Sequence, residues 1–337
     1  MKHALMAALF LCTAFQLDAS AQSNWGVKHT LHIGGEGGWD YVTVDAKTHR
    51  LFITRTTHTQ VIDADSGKVL GDISGQKTAH GVAIVPRLNR GFITDGGGTG
   101  AILVFDLTSY AVLGRIPTVP DSDGIIYDAG MDRVLAVSGD GGVLMTFKPD
   151  IDPANGKMDP PIALGGAPEF LAADGSGKVY VNLADKDLVA LVDLKTRRVI
   201  SRWPVAPGGR PVGMAFDPRS HHLFIGCRNP QKLVVMNSET GQVEASFPIG
   251  AGVDATAFDR GEIFASCRDG SLSAFHDQAG KLDLEQTIKT PEGARTMGID
   301  PATHQIYLPT AELEPAVQGA RPKAKPGTFM IVVVGQQ

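Results

Sequence analysis

Apolar residues in this chain come in short runs broken by polar turns, without the three-to-four spacing of an amphipathic helix. From Trp39 to Gly71 the order is YVTV, the turn DAKTHR, the run LFIT, the polar stretch RTTHT, the run QVIDA, the turn DSGK and the exposed-edge pattern KVLGDI. Strand-length runs bounded by Gly, Asp and Ser at short intervals predict an antiparallel meander and argue against βαβ units. Gly67 is placed in the DSGK turn, where a positive φ costs glycine little. The same unit then returns along the rest of the chain.

Aligned on the residue that ends the first strand, the units turn at Asp45, Val85, Asp128, Asp174, Asp217, Asp259 and Asp300, 40 to 46 residues apart. Second strands align as LFIT, GFIT, VLAV, VYVN, LFIG, IFAS and IYLP, and third strands as QVIDA, ILVFD, LMTFK, VALVD, LVVMN, LSAFH and FMIVVV. Four-strand units repeated seven times at this period predict an all-β fold, a seven-bladed β-propeller of four-stranded antiparallel blades. The seventh unit stops at its third strand, Phe329–Val334, while Lys28–Ile33 stands alone before the first. This N-terminal strand is expected to close the last blade, so that only short outer edges are left open.

Residues 1–21 have the form of a secretory signal peptide: Lys2 and His3, the apolar stretch Ala4–Phe15 and the small-residue site Ala19-Ser20-Ala21. Cys12 follows Leu11 inside the apolar stretch, which argues against a lipoprotein leader. Export to the periplasm or medium is expected, with residues 22–337 forming one propeller domain. No other stretch is apolar for long enough to span a membrane. Glycine reaches 40 of 337 residues, as frequent tight turns require. The net charge of −5 argues against nucleic acid or an anionic membrane held through bulk charge, and a monomer is expected.

In such a meander the start of each first strand and the end of each second strand meet at one end of the central channel. Five residues before each alignment point stand Asp40, His80, Asp123, Glu169, Val212, Asp254 and Arg295. The loops after the second strands add Arg55, His58, Asp95, Asp140, Asp185, Arg228 and Arg268 to that face. Polar residues at a solvated mouth need no function, but a shared scaffold with a different charge in each unit also suits a binding site. Asp40, His80, Asp123, Glu169 and Asp254 would suit a divalent cation, through carboxylate oxygens or through imidazole plus carboxylate. Arg210, Arg228, Arg268 and Arg295 fall in units five to seven and would suit a carboxylate or phosphate.

Two insertions break the period, Asp150–Pro161 and Thr310–Gly327. The second carries Arg321, Lys323 and Lys325 with three prolines, and is expected to be an irregular loop or a lid over the channel. Cys227 and Cys267 occupy the same register in neighbouring units, and two buried reduced thiols are expected because adjacent second strands lie too far apart for a disulfide. His221-His222 belongs to a turn on the opposite face, and His29 and His32 to the surface. No G-x-S-x-G, CxxCH, P-loop or dinucleotide fingerprint is present, so neither haem nor nucleotide is expected. Gly96-Gly97-Gly98 reads as a loop between strands.

The repeats YVTVDAKTHRLFIT…VIDADSGKVLGDI and MAFDPRSHHLFIG…LVVMNSETGQVEASFPIG resemble the YVTN-repeat (YncE-like) seven-bladed β-propellers of bacteria and archaea. The resemblance covers about Lys28–Val334. It departs at Phe147-Lys148-Pro149, where the pattern has V(V/I)D, and at Asp259, which lacks the following proline. It implies export and leaves two functional readings. One is a binding or scaffold module that uses the loop face at the channel mouth for an envelope protein, peptide or small ligand. The other is a metal-dependent lactonase-type hydrolase, in which mouth carboxylates and a histidine would hold a cation that polarises a carbonyl and activates water.

Overall fold

The structure, a computed structural model, describes residues 24–278, 281–315 and 322–337. The expected leader at 1–21 lies outside the described residues. The described chain is all-β apart from one 3₁₀ turn at Pro86–Leu88. Its strands form six antiparallel sheets, five with four strands and one with seven.

The seven-stranded sheet arises where two expected units share one strand. Val69–Val85 runs for 17 residues without a break. Its first part pairs with Thr56–Asp63 and its second with Arg90–Asp95, and Ala79 is partnered on both sides, by Thr56 and by Asp95. The two halves still pack on each other, with Phe52 and Phe105 ring centroids 5.7 Å apart. The polar stretch after LFIT also differs from expectation, because Thr56 to Thr59 already belong to the next strand.

The turns follow from the aspartates on which the units align. Asp45 accepts a hydrogen bond from the Thr48 hydroxyl at 2.6 Å, Asp128 from Gly130 N at 3.0 Å, and Asp217 from Arg219 N at 2.9 Å. The residue ending many third strands does the same: Asp63 accepts from Ser66 N, Asp193 from Lys195 N and Asn237 from Glu239 N. A short carboxylate or amide that caps its own turn fixes the reversal locally, whatever the rest of the chain does.

Central strands are buried on both faces, as Leu51 to Thr54 and Val179 to Leu183 show, whereas the outer strand Arg198–Pro204 alternates between exposed and half-buried positions. That difference produces apolar runs in the second and third strands and alternation in the fourth. The cores lie between successive sheets. Phe92 packs edge-on against Phe147 at 5.4 Å, and Trp25 against Phe264 at 4.7 Å. One cluster joins the two ends of the chain, with Leu31, Tyr307 and Ile331 packed on Leu51, Ile53 and Ile62. The N-terminal strand Trp25–His32 pairs with Met330–Gln336 in the last sheet, in agreement with the sequence reading.

Cys227 and Cys267 are free and fully buried. His29 and His32 are exposed, and His222 pairs with Glu244 at 2.8 Å. The Thr310–Gly327 insertion is less irregular than its prolines suggest. Its arms form an antiparallel ribbon, with Glu314 N donating to Lys323 O and Lys325 N to Glu312 O, both at 2.8 Å. The ribbon lies against the glycine-rich segment 35–38, with Gly327 N donating to Gly35 O at 3.3 Å. Arg321 lies outside the described residues.

Candidate functional site at the channel mouth

Innermost strands converge on a channel of about 370 Å³, lined largely by apolar side chains that include Tyr41, Ile84, Ile126, Phe170, Met214 and Ile299. Near its mouth the strands approach too closely for side chains on every position. A Cβ added to Gly81 would stand 2.8 Å from Ile125 Cγ2, and one added to Gly213 only 2.7 Å from Thr256 N.

The mouth residues are held by latches between neighbouring units. Thr54 Oγ1 donates to His80 O at 2.6 Å, Thr94 Oγ1 to Asp123 O at 2.6 Å, and Asn182 Nδ2 to Val212 O at 2.9 Å. Ser266 Oγ reaches Arg295 O in the same way. Each latch is the polar residue that closes an otherwise apolar second strand, as in LFIT, GFIT and VYVN. In the sequence these residues align without an evident role, and their recurrence at one register is the signal that marks them.

Three of the five proposed cation ligands come together. His80 Nδ1 lies 2.8 Å from Asp40 Oδ2 and 3.5 Å from Asp123 Oδ1, and one donor atom from each of the three falls within 4.8 Å of the others. Burial alone would lower the basicity of His80, but the hydrogen bond to Asp40 and the charges of Asp123 and Asp40 override it and lift the pKa to about 9. Burial pushes Asp123 well above the usual carboxylate range, against the pull of His80. Asp123 Oδ1 is buried and makes no hydrogen bond.

Asp254 and Glu169 stand outside that cluster. Asp254 is clamped between Arg295, whose Nε donates to it at 2.8 Å, and Arg228, whose Nη2 pairs with it directly. Arg228 Nε also donates to Val253 O, and Arg295 Nη2 lies 3.4 Å from Trp39 O. Burial raises the pKa of Glu169, partly offset by the charges of Arg228 and Arg210. Among the described residues its carboxylate makes no hydrogen bond. The Tyr41 hydroxyl lies 3.5 Å from Glu169 O, and its ring stacks on Phe170 at 5.3 Å. Burial and then the charges of Asp123, Asp40, Asp254 and Glu169 hold this phenol far above its ordinary pKa.

Other residues assigned to this face have structural tasks. Arg210 is exposed, and its backbone N donates to Asp187. The backbone of Arg268 bridges Gly252 O and Gly293 N. Arg55 is fully buried, donating to Glu36 O, Gly38 O and Gln60 Oε1, with its guanidinium 3.6 Å over the Phe329 ring. Asp95 is buried as well and accepts from Lys77 N and Thr78 N while pairing with Arg115. Asp185 accepts from Ala167 N, and His58 faces Asp72 at 3.7 Å. A charged residue in a rim loop is as readily a fastener for backbone groups as a ligand, and spacing alone does not distinguish the two.

No protein-family profile matches the chain, and no curated protein sequence does. Many solved structures resemble it, two of them as follows. Hydrazine synthase of Kuenenia stuttgartiensis is 13% identical with a TM-score of 0.70, over 80% of this chain and 92% of that one. The WD40 β-propeller domain of Doa1 is 14% identical with a TM-score of 0.71, over 93% of this chain and 97% of that one. The chain is a β-propeller. At such identities the likeness is one of fold alone. No helix among the described residues is long and apolar enough to cross a membrane.

Proposed function

We propose that this protein is an exported, YVTN-type β-propeller that binds a ligand at its channel mouth as a periplasmic or secreted binding module. The seven-stranded sheet is read as two blades that share the strand Val69–Val85, for seven in all. The observation that carries the reading is the channel itself: about 370 Å³ of largely apolar space with Asp254, clamped by Arg228 and Arg295, in its lining. Concave, mostly apolar sites with a few convergent polar groups are where small molecules bind. Polar groups fastened by latches from neighbouring units also arrive preorganised. A thermal-shift and calorimetric screen of small apolar and amphiphilic compounds tests it. A binder whose effect disappears when Ala257, which lines the channel, is enlarged by Ala257→Leu supports the reading, and a screen without such a binder overturns it.

A second reading, a metal-dependent hydrolase of the lactonase type, is favoured by the grouping of Asp40, His80 and Asp123 and by an Asp123 Oδ1 that makes no hydrogen bond. An imidazole with two carboxylates suits a divalent transition metal, but the ion would have to displace the proton that His80 Nδ1 shares with Asp40. Metal analysis of the purified protein with calcium and zinc titrations tests this reading. One tightly held ion, lost in His80→Ala, supports it; no ion and no thermal shift rule it out.

A further inference from the structure

The contact between Tyr41 and Phe170 crosses the channel. The innermost strands pack on one another in chain order, and Gly298–Ile299 returns to Val42–Asp45 to close the ring. Tyr41 leads into Val42–Asp45 and Phe170 belongs to Pro168–Ala173, in units that are not neighbours. Their rings nonetheless stack at 5.3 Å, and the Tyr41 hydroxyl reaches Glu169 O at 3.5 Å. This pair bars the lumen just inside the charged mouth. Round the rim the ionic groups satisfy one another, since Asp123, His80, Asp40, Arg295, Asp254 and Arg228 form a chain of charge pairs from unit to unit.

The opposite end is open. There the channel shares Ile126, Tyr127 and Met214 with a groove of about 500 Å³ on the face of the aspartate-capped turns, whose walls include Asp128, Phe216 and Pro218. Channel and groove form one continuous site that ends at Tyr41. Inside the channel the polar side chains are nearly all engaged. Thr43 donates to Val82 O at 2.6 Å, Thr256 to Phe224 O at 3.1 Å and Tyr127 to Asp132 at 2.8 Å, while Asp254 is held by its two arginines. The exception is the Tyr41 hydroxyl, whose acceptor, Glu169 O, stands at the limit of hydrogen bonding. Burial and the surrounding carboxylates keep this phenol protonated, so it has a proton to donate. An ion entering the channel would find its one charged lining group already paired, and burying an unpaired charge is costly. A neutral molecule with an acceptor oxygen meets no such penalty.

We infer that the channel takes a neutral, elongated apolar ligand from the turn face, its leading carbonyl oxygen accepting from the Tyr41 hydroxyl and its hydrocarbon tail ending in the groove beside Pro218. The inference rests on the channel-binding reading above, and names the ligand class and the end of the channel that admits it.

Calorimetric titration of the purified protein with 2-nonanone, octanoate and octylammonium tests it. The ketone is expected to bind on the order of tenfold or more tighter than either ion. Tyr41→Phe keeps the stacked ring and should weaken 2-nonanone roughly threefold to tenfold, the scale of a neutral hydrogen bond. The end of the channel is tested on folded protein with a pyrene maleimide, because both native thiols are buried. A label on Ala129→Cys, exposed in the groove, should weaken the ketone tenfold or more, and one on Arg210→Cys, exposed at the mouth, should leave it unchanged. If octanoate or octylammonium binds as tightly as the ketone, if Tyr41→Phe has no effect, or if only the Arg210→Cys label interferes, the inference falls and channel binding stands. If none of the three binds while the wider screen finds a ligand lost in Ala257→Leu, the inference again falls alone. If neither experiment finds a ligand, both fall.

Discussion

His80 Nδ1 and Asp40 Oδ2 lie 2.8 Å apart across forty residues of sequence, joining the first strands of two neighbouring units at the channel mouth. The pair makes folding pH-dependent. The folded-state pKa of His80, about 9, lies above its ordinary 6.5, so its stabilisation is fully present below pH 6.5 and is lost as pH rises through 9. Unfolding free energy should fall by up to about 3 kcal/mol across that window. Urea denaturation at a series of pH values checks this, and His80→Asn should flatten the profile.

Arg55 joins the segment 36–38 to the last sheet through backbone carbonyls and the Phe329 ring. Its guanidinium is buried deeply enough for its pKa to fall to about 10. Lysine keeps the charge but lacks the planar fork of donors. Arg55→Lys should therefore destabilise the fold by about 2–4 kcal/mol, because the buried Gln60 Oε1 and the carbonyls of Glu36 and Gly38 lose their donors and the Phe329 ring its planar partner. Chemical denaturation measures the loss, and faster amide exchange at Gly37 and Gly38 would localise it.

Thr94 latches the mouth strand of the next unit, donating to Asp123 O and accepting from Gly81 N at 2.8 Å. Thr94→Val keeps the shape and removes both bonds, so about 1–3 kcal/mol should be lost. Thr94→Ser should recover most of it. The midpoint of urea unfolding distinguishes the two variants.

Cys227 and Cys267 are buried, and burial raises each thiol to about 12. The thiolate is the reactive form. Both should resist alkylation in the native protein at pH 8 and react fully in denaturant, as peptide mapping by mass spectrometry would show. Reducing agent should leave the melting temperature unchanged.

Much of this fold is legible in the sequence because its determinants are local. Aspartates such as Asp45, Asp128 and Asp217 cap their own turns, and central strands such as Leu51 to Thr54 are apolar because both faces are covered. The pairing of the two chain ends is legible too, since a lone first strand and a missing last one complete each other. The unbroken strand Val69–Val85 is not, because backbone pairing on both sides of Ala79 depends on how two units meet.

The sequence by itself placed Asp40, His80, Asp123, Glu169, Asp254 and Arg295 at one register, because a repeat of constant period carries equivalent positions to equivalent places. Only the tertiary structure decided their partners. It set His80 between two carboxylates, clamped Asp254 between two arginines and left Asp123 Oδ1 without a hydrogen bond. It also buried Arg55 and Asp95 as fasteners of backbone groups. Hydrogen bonds and burial depend on distances of a few ångströms between residues far apart in the chain. A repeat pattern fixes the register of such residues, and packing fixes the distances.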